Sequence, residues 1–98
     1  MVKIVWTNYA YLDLKDIYDY IAKDSKKYAH LQIQRIKDRT KILKSNPKGG
    51  RVVPESGLED LRELIEGNYR IIYRIKNQEG IDILSVFHSA RILKIDNI

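Results

Sequence analysis

The sequence predicts an α+β domain with an N-terminal strand, an antiparallel two-helix hairpin and a three-stranded antiparallel meander. Two patterns predict this class. Apolar residues recur at helical spacing through residues 8–45, and three short strand-like runs separated by turn signals fill residues 61–88. Helices followed by a meander favour packing of both helices on one face of the sheet. The other face is expected to stay open.

A short strand is predicted at residues 2–6, leading directly into the first helix. Thr7 or Asn8 can cap that helix by accepting a hydrogen bond from one of its unpaired N–H groups. Charged residues occupy one side of the helix and apolar residues the other, so the helix is expected to lie on the surface. The apolar positions are Ala10, Leu14, Ile17, Tyr18 and Ile21.

The second helix is predicted to follow the break at Asp24, with Ser25 as its cap. It should end near Ser45, because an Asn-Pro pair at 46–47 and a Gly-Gly pair at 49–50 are strong loop signals. That gives a helix of about 20 residues, or roughly 30 Å. Its apolar stripe consists of Ala29, Ile33, Ile36, Thr40 and Leu43. The short connection to the first helix predicts an antiparallel hairpin.

The rest of the chain is predicted to be extended. Residues 51–55 form an extended segment in which Pro54 excludes a central sheet position, and residues 56–60 are irregular. Strands are predicted at residues 61–66, 69–76 and 81–88, joined by Gly67-Asn68 and by the turn at 77–80. Neighbouring strands joined so tightly must be antiparallel. Without a linker-like stretch, residues 1–98 are predicted to form a single domain.

The strand at residues 69–75 alternates strictly, which places Arg70 and Arg74 on the face opposite Tyr69 and Tyr73. Evenly spaced arginines on an open sheet face suit a phosphate or carboxylate partner. The alternative is that both arginines are simply exposed to water on an open face of the sheet and bind no partner.

Composition excludes several classes of protein. The absence of cysteine removes disulfides and thiol catalysis, and two isolated histidines have no zinc-ligand spacing, so no metal and no cofactor are expected. No apolar run approaches the ~20 residues that span a bilayer, and the N-terminus does not resemble a signal peptide. The sequence therefore predicts a cytoplasmic protein with no membrane partner.

The net charge of +5 is concentrated in one part of the chain. Residues 26–51 contain nine basic residues and one acidic residue, which leaves nine basic and twelve acidic residues elsewhere. Such a patch attracts anionic partners, either nucleic acid or an acidic protein segment. The alternative is a solvated, lysine-rich helix face.

Several short motifs, in their order and spacing, resemble the ParE/RelE toxins of bacterial type II toxin–antitoxin modules, and the ParE branch more closely. The resemblance covers nearly the whole chain. The matching pieces are Trp6, Ala10, Asp13, Leu14, Ile17 and residues 19–21 at the first helix, then residues 50–55, 62–64 and 69–74, and finally His88 with Arg91.

The resemblance implies a small, acidic cognate antitoxin that keeps the toxin inactive, and contact with operator DNA only through that antitoxin. It also implies growth inhibition and a link to plasmid stabilisation. ParE-like members poison DNA gyrase, whereas RelE-like members cut messenger RNA on the ribosome. The first activity would make the chain a non-enzymatic inhibitor, and the second would make it an endoribonuclease.

For the ribonuclease alternative, the resemblance places Arg70 at a family position that stabilises the phosphate. Glu55 or His88 could then serve as base or acid. Arg51, Arg74 and Arg91 are further candidates for binding an anion or the target. Residues 89–98 lack the tyrosine that family nucleases commonly carry there, and the spacing from His88 to Arg91 resembles the ParE branch. We therefore favour gyrase inhibition, with the ribonuclease and a non-toxic, antitoxin-binding remnant as alternatives.

Overall fold

The computed structural model describes residues 2–77 and 79–89, and it has the predicted order of elements. One strand precedes two helices and a 3-10 helix at Thr40–Lys44, and four strands follow. The strands and helices are β1 (Lys3–Trp6), α1 (Asn8–Ala22), α2 (Lys26–Arg39), β2 (Arg51–Val52), β3 (Leu61–Glu66), β4 (Tyr69–Asn77) and β5 (Gly80–His88). The α+β class predicted from the sequence is confirmed.

All five strands belong to one sheet in the order β1-β5-β4-β3-β2. The meander β3-β4-β5 is antiparallel as predicted, and its first turn contains Gly67 in the left-handed region with φ of 56°. β1 pairs parallel to β5 and thus extends the sheet beyond the meander. The helical hairpin forms part of the long connection between these two parallel strands. The two-residue β2 lies at the opposite edge, which agrees with Pro54 excluding a central position.

Side-chain caps set the start of both helices. The Thr7 hydroxyl accepts from Ala10 N at 3.2 Å, and the Ser25 hydroxyl accepts from Tyr28 N at 3.1 Å. Thr7 is therefore the cap of α1, and Asn8 is its first residue. The second helix is α-helical only to Arg39 and continues as the 3-10 helix to Lys44. At the junction the Thr40 hydroxyl donates to Lys37 O at 2.7 Å, a bond typical of such tightened turns.

Both helices pack on the same face of the sheet, as predicted. Ala10 and Leu14 of α1 and Ile36 of α2 are buried against Ile71 and Ile83 from the central strands. Further members of this core are Leu43, Leu64, Tyr73, Ile81 and Val86.

A bulge in β5 provides a second anchor for α1. Ile72 pairs with Ser85 and Tyr73 pairs with Ile83, so Leu84 is the extra residue on β5. Next to this bulge, Asp13 Oδ2 accepts from the Ser85 hydroxyl at 2.8 Å and from Val86 N at 2.9 Å. The carboxylate thereby fixes the position of α1 over the sheet.

The prediction that the other sheet face stays open is wrong for its central part. Ile72 points to that face and is fully buried there together with Val53 and Leu61. Val53 reaches this position because its N–H donates to Leu61 O and its carbonyl closes the turn that follows. The segment after β2 therefore covers part of the sheet, because burial of its apolar side chain is favourable.

Tyr73 couples the core to the loop before β2. Its buried hydroxyl donates to Pro47 O at 2.8 Å and accepts from Gly50 N at 2.9 Å. Desolvation raises the pKa of this phenol, and the smaller contributions that lower it, from the Gly50 hydrogen bond and from two arginines, do not cancel the effect.

We predict that Tyr73 makes the fold sensitive to alkali. Because the folded-state pKa is raised, the stabilisation is complete below the unfolded-state pKa of about 10 and is lost as the pH rises through the folded-state pKa. Tyr73→Phe should cost about 2 kcal/mol at neutral pH, because Gly50 N loses its acceptor. The free energy of unfolding of Tyr73→Phe should then decline less steeply than that of the wild type between about pH 8 and pH 11. Parallel pH profiles from urea unfolding would contradict this prediction.

Candidate functional site

Four charged side chains meet on the sheet face opposite the helices. Arg70 comes from the central strand β4, Glu63 from β3, Arg51 from the edge strand β2, and Glu55 from the turn that follows β2. Strand register brings them together, because Glu63 pairs with both Arg51 and Ile72, and Arg70 lies two residues before Ile72. We call these four residues the charge network.

Arg70 is the centre of the charge network and is only 6% exposed. Its Nη1 and Nη2 donate to the two carboxylate oxygens of Glu55 at 2.7 and 2.8 Å, in the bidentate geometry that arginine favours. Its Nε donates to Glu63 Oε1 at 2.6 Å, and its guanidinium carbon lies 5.3 Å from the ring centroid of Phe87. These carboxylates, Glu55 first, raise the pKa of Arg70 further above its usual range, despite an opposing effect of burial.

Glu63 joins the two arginines. Its side chain is 0% exposed, and while Oε1 accepts from Arg70, Oε2 accepts from Arg51 Nε at 2.6 Å. A buried carboxylate needs such compensation, because the cost of removing a charge from water is several kcal/mol. Two cations and two carboxylates leave the charge network formally neutral.

Glu63 is the member of the site that sequence reasoning missed as a functional candidate. Its sequence neighbour Arg62 is not part of the charge network. Arg62 is buried and donates to Glu59 and to Gly50 O. The signal was present in the hairpin turn at Gly67-Asn68, which sets Glu66 opposite Tyr69 and hence Glu63 opposite Ile72.

The structure brings Arg51, Glu55 and Arg70 together but leaves Arg74 out. Arg74 is half-buried opposite Asp82, and its buried Nε has no hydrogen-bond partner among residues 2–77 and 79–89. His88 is exposed at the end of β5 opposite Tyr69, with the two rings edge to face and their centroids 5.9 Å apart. Arg91 lies outside the described residues.

The charge network therefore differs from the anion site expected on this face. The arginine predicted to meet a phosphate or a carboxylate does meet carboxylates, but they belong to the chain itself. Glu55 occupies the bidentate edge of the Arg70 guanidinium, so a phosphate bound at that edge would have to displace it. What the arrangement does in this state is hold the turn after β2 against the sheet, since Glu55 lies in that turn.

Within residues 2–77 and 79–89, no group of three potential ligands among His, Asp and Glu is placed to hold a metal ion. In the same part of the chain, no helix combines the length and the apolar character needed to cross a membrane.

A family model described as the ParE toxin of the type II toxin–antitoxin system parDE matches residues 4–93. The chain belongs to the ParE toxin family. The ParE-family match includes every member of the charge network and also His88 and Arg91. No curated protein sequence matches the chain significantly.

Solved structures agree with this assignment. A chain described as part of the chromosomal ParDE toxin–antitoxin system from P. aeruginosa is 28% identical, with a TM-score of 0.74 over 90% of this chain and 96% of that one. The RelBE2 toxin–antitoxin complex from Mycobacterium tuberculosis contains a chain that is 22% identical, with a TM-score of 0.56 over 89% and 96% of the two chains. The YoeB dimer from Staphylococcus aureus is 20% identical, with a TM-score of 0.55 over 86% and 92%. The last two share the fold of this ParE-family toxin.

Proposed function

We propose that this ParE-family toxin acts by inhibiting DNA gyrase and that a co-encoded antitoxin neutralises it. The observation that carries the proposal is the state of Arg70, whose guanidinium is bound by two carboxylates of the chain, one of them in the bidentate geometry that a phosphate would use. Greater similarity to the ParDE chain from P. aeruginosa than to the RelBE2 or YoeB chains also supports the proposal.

The ribonuclease alternative requires a different arrangement. Attack by a 2′-hydroxyl needs a base, an acid and cations that face the crowded phosphate. Here both oxygens of Glu55 face Arg70, so the candidate base and the candidate cation bind each other. His88, at the exposed end of β5, is the remaining candidate for proton transfer, and it lies outside the charge network.

Two features of the surface support an antitoxin partner. The basic stretch at residues 26–51 suits an acidic protein segment. Apolar anchors for that segment are available on the helical hairpin, where Tyr20, Tyr28 and Leu31 are exposed. A disordered antitoxin segment that folds on binding would cover these anchors and make charged contacts beside them.

Purified toxin is expected to inhibit supercoiling by gyrase, or to trap cleaved DNA, while translation by purified ribosomes continues unchanged. A supercoiling assay and a translation assay with the same protein preparation make this measurement. Addition of the protein encoded by the adjacent small gene should restore supercoiling, because the antitoxin would cover the toxin surface.

Two other outcomes would contradict gyrase inhibition. Ribosome-dependent cleavage of message that is lost in His88→Ala would identify a ribonuclease. Absence of both effects, with harmless expression of the toxin alone, would identify a non-toxic remnant that only binds its antitoxin.

A further inference from the structure

Arg51 is the member of the charge network that faces solvent. Its Nε donates to Glu63 Oε2 at 2.6 Å, yet its side chain is 64% exposed, whereas that of Glu63 is 0% exposed. Among residues 2–77 and 79–89, its Nη1 and Nη2 have no side-chain partner within hydrogen-bond distance. Among the described residues the guanidinium is thus held at one nitrogen, while most of the side chain is open to solvent.

The backbone before Arg51 is fixed as well. Gly50 N donates to the Tyr73 hydroxyl at 2.9 Å, and Gly50 O accepts from Arg62 Nη1 at 2.9 Å. Arg51 itself pairs in register with Glu63 on β3. An exposed arginine normally loses considerable rotamer freedom when it binds, but this one is already ordered at both ends. Its planar fork is therefore preorganised for an oxyanion.

The chain around Arg51 favours a polyanion over a single carboxylate. Lys41, Lys44 and Lys48 precede it and are all exposed. Two of these lysines have exposed acidic partners: Asp38 pairs with Lys41, and Glu59, which also accepts from Arg62, pairs with Lys48. Such pairs are weak and screened by salt, so they leave most of the positive potential in place. Several exposed cations in one stretch of chain are typical of a surface that binds a nucleic-acid backbone.

We propose that Arg51 contacts a backbone phosphate of the DNA held by gyrase, and that Glu63 is a positioning residue that orients Arg51 for this contact. The inference rests on the proposed gyrase inhibition and adds to it a contact with the DNA. Arg70 also donates to Glu63, which reduces the repulsion between this carboxylate and the phosphate.

The test measures binding of the toxin to gyrase with and without a linear DNA duplex, at several salt concentrations. Arg51→Gln should weaken binding to the gyrase–DNA complex by about 10-fold and reduce the salt-dependence slope by about 1. Binding to gyrase without DNA should stay within about twofold of the wild type. Lys76→Gln is the matched control, because Lys76 is an exposed cation on the same sheet, with its own ion pair to Asp82, and lies outside the proposed contact.

Glu63→Gln tests the positioning role while keeping the size of the side chain. It should reduce the salt slope as Arg51→Gln does. The double variant Arg51→Gln/Glu63→Gln should bind the gyrase–DNA complex no more weakly than Arg51→Gln, because both substitutions remove the same contact between Arg51 and the phosphate. A purely structural role for Glu63 would instead lower binding to gyrase alone. Arg51→Lys keeps the charge but not the fork, and it should recover only part of the affinity.

Two results would overturn the inference while gyrase inhibition stands. One is that Arg51→Gln binds the gyrase–DNA complex with the affinity and salt slope of the wild type. The other is that Arg51→Gln loses equal affinity for gyrase with and without DNA, which would indicate that Arg51 contacts an acidic group of gyrase. If the wild-type toxin itself fails to bind or inhibit gyrase, the proposed function fails, and this inference fails with it.

Discussion

Arg70→Met is expected to lower the free energy of unfolding by about 3–5 kcal/mol. The substitution keeps most of the apolar stem, but among the described residues it leaves the fully buried carboxylate of Glu63 with the exposed Arg51 as its sole ion-pair partner. It also releases Glu55, which holds the turn after β2 against the sheet. Urea unfolding of toxin separated from its antitoxin, followed by circular dichroism, measures the loss.

Two variants show whether the loss comes from the uncompensated carboxylate. Arg74→Met is the matched control on the same strand, because Arg74 lies outside the charge network, and it should change stability by less than about 1 kcal/mol. The double variant Arg70→Met/Glu63→Leu removes both buried charges and should recover much of the stability lost in Arg70→Met. Equal losses for Arg70→Met and Arg74→Met would refute this account of Arg70.

The stability effect also affects how activity data on Arg70 are interpreted. Loss of toxicity in an Arg70 variant has two possible causes, which are loss of a phosphate contact and loss of the folded structure. Because Arg70 is bound by Glu55 and Glu63, we expect loss of folded toxin to account for the loss of activity. Activity assays of Arg70 variants therefore need a parallel measurement of the folded fraction.

Gly50→Ala is expected to destabilise the fold by about 3 kcal/mol. A Cβ at this position would lie 2.4 Å from Glu63 O and 2.8 Å from both Cε1 and the hydroxyl of Tyr73. The nearest obstacle is backbone of β3, and the Tyr73 ring is fully buried, so neither can move aside cheaply. Thermal and urea unfolding of the purified toxin give the measurement.

Gly80→Ala is the matched control for Gly50→Ala. At Gly80 the nearest atom to an added Cβ is Asn77 Oδ1 at 3.6 Å, an ordinary contact, and the backbone is not in the left-handed region. We expect a change within about 0.5 kcal/mol. If Gly50→Ala proved as mild as Gly80→Ala, the close approach of the loop before β2 to β3 and Tyr73 would not constrain the fold.

Most of the fold could be predicted because its signals are local. The hydroxyls of Thr7 and Ser25 cap the helices that directly follow them, and the Gly67-Asn68 turn fixes the register of β3 and β4. The predicted strands at residues 61–66, 69–76 and 81–88 agree with the observed ones to within a residue at each end. The 3-10 continuation of α2 was not predicted, because it depends on one side-chain bond at Thr40.

The candidate site was less predictable, and Arg70 shows why. Strand alternation correctly placed Arg70 on the face opposite Tyr69 and Tyr73. It did not predict that another segment of the chain covers that face and buries Arg70. That cover depends on Val53 packing on Ile72, a contact between residues far apart in sequence. Exposure of a strand face cannot be derived from the strand itself, because it depends on what other chain segments bury against it.

The sequence by itself determined the α+β class, the order of elements and membership of the ParE family, because periodicity, caps, turns and motif spacing are properties of short stretches of chain. Only the tertiary structure decided which charges meet. It buried Glu63 between Arg51 and Arg70, tied Arg70 to Glu55, and left Arg51 facing solvent. The physical reason is that a buried charge must find a partner within hydrogen-bond reach, and distance in space is set by strand register and packing, not by distance along the chain.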